Sequence, residues 1–303
     1  MSLFGDPPGD DVVGQRAEAD RERIARGGIP LGAEQRLKRV AAGGSSVFSS
    51  DLSAKEYALA HAAGLTPVAQ IMGSSVVQNG WQDYLWSRQG SAIAPVPSFA
   101  ERWNLSRQRG FARLRQEAEF AGADAVIGIE MTARTLPGDR GDVEFVVFGT
   151  AVRENPPRAR DASSPRMCAL SGQDFVTLRR IGAEPVGVIG HIAVVGAAVS
   201  GWSNQRMGSW WGNQEIPMLS EAVYAARRLA MDEVRRQAIA AGATEMVMSD
   251  VSHRVQRAGE QGAADRQVFL VSMSVLGTAI VRGAHDPRPA PLGPPMMAIN
   301  IGA

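Results

Sequence analysis

A chain of 303 residues with 45% hydrophobic content is long enough for two domains that each bury an ordinary core. Its 32 basic and 31 acidic residues leave a net charge of +1, which removes any electrostatic reason to expect nucleic acid or an acidic polymer as partner. The one cysteine, Cys168, excludes an internal disulfide framework and fits a reducing, cytoplasmic compartment.

Residues 1–48 read as a charged N-terminal arm. Met1 to Asp6 has neither a basic nor an apolar signal region, and Pro7-Pro8-Gly9 among aspartates cannot build a core. Helix candidates over Gln15 to Arg26 and Ala33 to Ala42 are stopped by Gly27-Gly28 and Gly43-Gly44. Their apolar content is thin, so a solvated arm is expected, with packing on a neighbouring subunit as the alternative.

Ser53 with Glu56 three residues on has capping-box spacing and opens a short helix that Gly64 ends. A strand over Val68 to Val77 follows. After a loop, Phe111, Leu114, Ala118 and Ala121 form one apolar helical stripe, and Gly122 sits where a left-handed residue would end that helix. The β-branched and apolar residues after it suit a strand. In the last strand Val143, Phe145 and Val147 alternate with Glu144, Val146 and Phe148, too few of them polar for a wet face, so both faces should be covered. Residues 155–170, with Pro156-Pro157, read as a linker.

The pattern then recurs. Gly242 follows Gly122 by 120 residues, the Gly277-Thr278-Ala279 strand follows Gly149-Thr150-Ala151 by 128, and Pro185 follows Pro67 by 118. The second helix repeats the stripe as Met231, Val234, Ala238 and Ala241. Ordered matches at a long, nearly fixed spacing predict a duplicated domain with a longer hairpin loop in the second copy. Val186 to Val199 is the second first-strand, and Val186, Val188, Ile189, Val194, Val195 and Val199 place apolar groups on both of its faces. Residues 284–303, with five prolines between Asp286 and Pro295, read as an extended C-terminal tail ending in an apolar tip, Met296 to Ile301, able to add to a sheet edge of another molecule or simply fray.

The run Gly122-Ala123-Asp124-Ala125-Val126-Ile127-Gly128 after an Arg- and Glu-bearing helix, closed by Gly149-Thr150-Ala151-Val152, resembles the YbjQ family, labelled heavy-metal-binding. The second copy is more divergent, with Thr244-Glu245-Met246-Val247 in place of the usual run. The resemblance implies an α+β fold with two tandem YbjQ-like domains, at 49–154 and 171–283, each a small antiparallel sheet wrapped on one long helix as in dodecin subunits. It also implies homo-oligomeric rings, pentamers favoured, and no established activity.

Five of the six tryptophans lie in the loops after the two first-strands: Trp81 and Trp86 with Tyr84 in one, Trp202, Trp210 and Trp211 in the other. Such aromatics in Gly- and Asn-rich loops need cover, from their own domain or a ring neighbour, from a partner protein or lipid surface, or from a flat ligand between the indoles. Metal binding meets a poor donor set, since Cys168 stands alone and His61, His191, His253 and His285 are far apart; His191 and Cys168 are the weak candidates, His191 through a ring axis. No nucleophile elbow, P-loop or His-Glu-Xaa-Xaa-His is present, and Glu117 and Glu119 face away from each other on a helix. No apolar run reaches the ~20 residues of a spanning helix. The reading is a non-enzymatic, ring-forming binding or scaffold protein with no cofactor; the alternative is a small-molecule or heavy-metal carrier using the ring interior or the tryptophan loops, and a protein partner would engage those loops or the tail.

Overall fold

The computed structural model describes residues 10–43, 49–78, 93–136, 142–155, 164–200, 215–261 and 266–283. In chain order these form α1 Asp10–Ala25, α2 Leu31–Ala41, α3 Ala54–Ala62, β1 Leu65–Val77, β2 Ile93–Pro95, α4 Pro97–Phe120, β3 Ala125–Thr135, β4 Val143–Glu154, β5 Arg166–Met167, α5 Gly172–Arg180, β6 Ala183–Ser200, α6 Pro217–Ala240, β7 Glu245–Gln261 and β8 Arg266–Arg282. The fold is mixed α+β with two four-stranded sheets, ordered β1-β4-β3-β5 and β2-β6-β8-β7.

The two halves use the same local devices. Each long helix has proline at its first turn and ends in a glycine with positive φ, 64° at Gly122 and 71° at Gly242. At each end the residue after the glycine donates back five residues, Ala123 N to Ala118 O and Ala243 N to Ala238 O, both at 3.0 Å, the Schellman arrangement. Each helix anchors the first strand of its sheet by one side chain. Glu117 accepts from Met72 N at 2.9 Å, and Gln237 accepts from Gly190 N at 3.1 Å. Thr150 Oγ1 accepts from Asp51 N at 3.2 Å, as Thr278 Oγ1 does from Ala169 N at 2.9 Å.

Four expectations meet a different structure. The arm is docked: Leu37 and Ile29 join the core of Ala69, Ile71, Leu114 and Ala118. Arg113 donates to the carbonyls of Ile24 and Gly28, and Gln116 to Gly27, so two apolar anchors and capped carbonyls suffice where apolar content looked thin. The last part of the linker is structured, because β5 pairs parallel with β3 and Met167, Cys168, Ala169 and Leu170 are buried. The eight extra residues of the second hairpin go into the strands, since β7 and β8 reach 17 residues each and the connection between them, 262–265, is shorter than 136–142 in the first copy. Finally, each sheet has a fourth strand from the other half of the chain: β2 pairs with β6, and β5 with β3.

Strand β6 confirms burial on both faces. Ile189, Ala193, Val195 and Ala197 face the α6 side, while Ile192 and Val194 pack with Val96, Phe99 and Trp103 of the first half. Close approach of α4 to its own sheet requires glycine twice. A β-carbon on Gly73 would collide with the carbonyl oxygen of Gly110, and one on Gly110 would lie 2.5 Å from Phe145 Cδ1. Gly110→Ala is expected to cost about 1–3 kcal/mol by overpacking. A lowered thermal midpoint by circular dichroism is the result expected, and an unchanged midpoint would show that the helix has room to move.

Candidate functional site at the junction of the two sheets

The residues that join the halves come mainly from the outward face of α4. Asn104 clamps the edge of β6, donating to Ile192 O at 2.9 Å and accepting from Ile192 N at 3.1 Å. About two turns earlier, Val96 N donates to Val194 O at 2.9 Å, continuing the β2 pairing into the helix start. Arg107 is buried, its guanidinium 5.9 Å from the Phe111 ring and its Nε without a hydrogen-bond partner. Burial pushes Arg107 down to about 10. Gly190 lies beside it: a β-carbon there would stand 3.6 Å from Arg107 Nη1, an ordinary contact, and 3.0 Å from Val275 O, a tight one.

A second contact runs through the segment before α5. Cys168 N donates to Val126 O at 2.9 Å and Gly128 N to Leu170 O at 2.8 Å, so this segment adds to the edge of β3. Arg166 pairs with Glu154 and, at 2.6 Å, with Glu184; Arg179 lies 3.9 and 3.6 Å from the same two carboxylates. The cluster ties β4, β5, α5 and β6 together with matched charges.

Two cavities flank this junction. The larger, about 760 Å3, lies among α3, β3, α5 and β7 and is lined by the carboxylates Asp51, Glu56, Glu130, Asp174 and Asp250 with no lysine or arginine. The smaller, about 340 Å3, is lined by His191, Ala193, Leu229, Asp232, Glu233 and Arg236 beside Pro95 and Pro97. Burial, Arg107 and Arg236 hold His191 down at about 4, a neutral imidazole. Cys168 is buried with Sγ 3.8 Å from Thr278 Oγ1, and burial pushes its thiol up to about 11.

Cys168 lines neither cavity, so the structure does not bring the two weak metal candidates to one site. Among the described residues no three His, Cys, Asp or Glu side chains are placed to hold a metal ion. Among them too, no helix is long and apolar enough to cross a membrane. Trp81, Tyr84, Trp86, Trp202, Trp210 and Trp211 lie outside the described residues, as does the C-terminal tail. Asn104 and Arg107 were missed from sequence because a polar residue on a helix reads as solvated; the available signal was that both fall beside Trp103 on a face already partly apolar.

The comparisons give this architecture a family. The family model described as "Putative heavy-metal-binding", YbjQ, matches residues 65–155, the stretch from β1 through β4. An encapsulin nanocompartment protein of Mycobacterium tuberculosis is 35% identical over 205 residues, covering 66% of this chain and 76% of that protein. A UPF0145 protein of Thermus thermophilus is 32% identical over 98 residues, 31% of this chain and 84% of its own length. One of Methanococcus vannielii is 43% identical over 58 residues, 19% of this chain and 52% of its own. No solved structure matches. The chain belongs to the YbjQ (UPF0145) family.

The shifted groups give two expected outcomes. Because the folded pKa of His191 is depressed below its ordinary 6.5, its neutral form contributes stability present above about pH 6.5 and lost as pH falls towards about 4. Arg107, Arg236, Asp232 and Glu233 surround it, so His191→Gln is expected to flatten the acid limb of a melting-temperature profile; an unaltered limb would assign it to carboxylates instead. Cys168 is expected to resist maleimide at pH 7.5 in the folded chain and react in denaturant, by mass spectrometry.

Proposed function

We propose that the chain is a non-enzymatic scaffold made of two tandem YbjQ-like units, 49–154 and 171–283, that assembles with its own copies into a ring. The observation that carries this is strand donation at the junction: β2 of the first unit completes the second sheet, and β5, in the segment that leads into the second unit, completes the first. Units that finish each other's sheets are built to associate through edges rather than to stand alone. The relation to a protein named for an encapsulin nanocompartment supports a role in ordered assembly. The pentamer is the stoichiometry that the family resemblance suggests, and the tryptophan loops are the proposed surfaces that a neighbour or partner covers.

A second reading, carriage of a cationic ligand or metal, draws on the acidic lining of the larger cavity. Native mass spectrometry of the untreated protein tests both at once. The expected spectrum is a single multiple of the 32.2 kDa chain mass with no retained ligand. A monomer at micromolar concentration would overturn the scaffold, and about one transition metal per chain by elemental analysis would establish the carrier.

A further inference from the structure

We propose that one copy of this chain docks head to tail on the next by repeating the contact that joins its own halves: the outer face of α6 and the free edge of β7 of one copy receive residues 49–76 of the other. The inference rests on the scaffold reading and specifies its interface.

The equivalence of positions is fixed by paired interactions. Met72–Glu117 matches Gly190–Gln237, and Asp51–Thr150 matches Ala169–Thr278, so the first strands correspond at a spacing of 118 residues and the long helices at 120. On α4, Trp103, Asn104 and Arg107 enter the second half at Gly190, Ile192 and Val194. Their counterparts on α6 are Val223, Tyr224 and Arg227; Val223 packs partly buried against the core of its own sheet, whereas Tyr224 is 72% exposed among the described residues. The receiving positions on β1 are Met72, Ser74 and Val76, of which Val76 is 55% and Met72 42% exposed, while Ser74 is half-buried and its carbonyl accepts from Arg113. An exposed donor face and an exposed acceptor face are thus both present on one molecule.

The second strand of the contact repeats the same asymmetry. Strand β3 is closed at its edge by Cys168 and Leu170, and Phe175 buries its ring in the cluster that holds Ile127. On β7 the counterpart of Ile127 is Val247, 37% exposed at the edge of its sheet, and the counterpart of Phe175 is Tyr57 on α3, 40% exposed at the other end of the chain. Segment 49–52 would then add to β7 as 168–170 adds to β3, main chain to main chain. Capping supports this match, because Ser53 and Ser171 both cap their helices and both are followed three residues later by an acid, Glu56 and Asp174. Such a contact is heterologous, so it closes a ring or runs on as a filament, and a closed ring holds an even number of sheets.

The test uses the full chain with Val76→Cys, Tyr224→Cys and the double variant, each treated with a short bismaleimide, buried Cys168 serving as the silent control. The double variant is expected to give a ladder of cross-linked chains, the two single variants a dimer only when mixed, and each single variant alone nothing. A single variant that links to itself would show a symmetric interface and overturn the proposal. Absence of links in a double variant that still sediments as an assembly would overturn these surfaces and leave the scaffold reading standing, whereas a monomeric wild type would sink both. As a check independent of the reagent, Tyr224→Arg and Val247→Asp alter exposed positions and should shift the assembly to single 32.2 kDa chains with the helical circular dichroism retained; an assembly unaffected by both would also refute the contact.

Discussion

Helix α4 is buried on two sides, and the rest of the chain is arranged around that constraint. Its inner face lies so close to β1 and β4 that glycine is required at position 73, against Gly110 O, and at 110, against Phe145. Its outer face must then satisfy the edge of another sheet. The amide and carbonyl of Ile192 would be orphaned where β2 ends, and Asn104 has one acceptor and one donor group in a single planar amide to meet both. Replacing it by an apolar residue of similar size would leave two buried backbone groups unpaired, a cost of roughly 1–3 kcal/mol for each.

Arg107 shows what the second burial costs. A guanidinium with an unbonded Nε in a desolvated position is unfavourable unless nearby groups offset it, and the Phe111 ring is the compensation visible. The same charge suppresses protonation of His191. On the far side of the junction, burial keeps Cys168 a thiol. Both shifts carry the groups away from pH 7, where a proton donor or thiolate nucleophile would need to sit. The Arg166, Arg179, Glu154 and Glu184 cluster is the ionic counterpart of this junction.

What the sequence revealed was what local chemistry decides. Gly122 and Gly242 were legible as helix stops because positive φ leaves few other residues, and the Ser53–Glu56 box because its spacing is set by hydrogen bonds within one turn. Strands β2 and β5 were not legible: three and two residues long, they have no period of their own and are strands only because β6 and β3 present free edges to them. The docked arm escaped for a similar reason. Ile29 and Leu37 are isolated apolar residues in a charged stretch, and what makes them anchors is Arg113 and Gln116, some eighty residues away, receiving the carbonyls that end α1. The candidate tryptophan surface stays a matter of sequence, since those loops lie outside the described residues.

The two long helices show how one pattern serves two exposures. Helix α6 buries a stripe of small residues, Ala222, Ala226, Ala230, Val234 and Ala238, against its own sheet, and keeps Tyr224, Arg227, Arg228 and Arg235 outward. Tyrosine and arginine can lay apolar area on a surface while their polar ends stay wet, so this face tolerates water and a protein neighbour alike. Helix α4 carries Trp103 and Asn104 at the corresponding places, where solvent would leave an indole uncovered and the β6 edge unpaired. The contact between halves can therefore be permanent while the matching face on α6 remains compatible with a free chain. That difference in side chains, on a shared backbone, separates a face that folding must cover from one that water can cover.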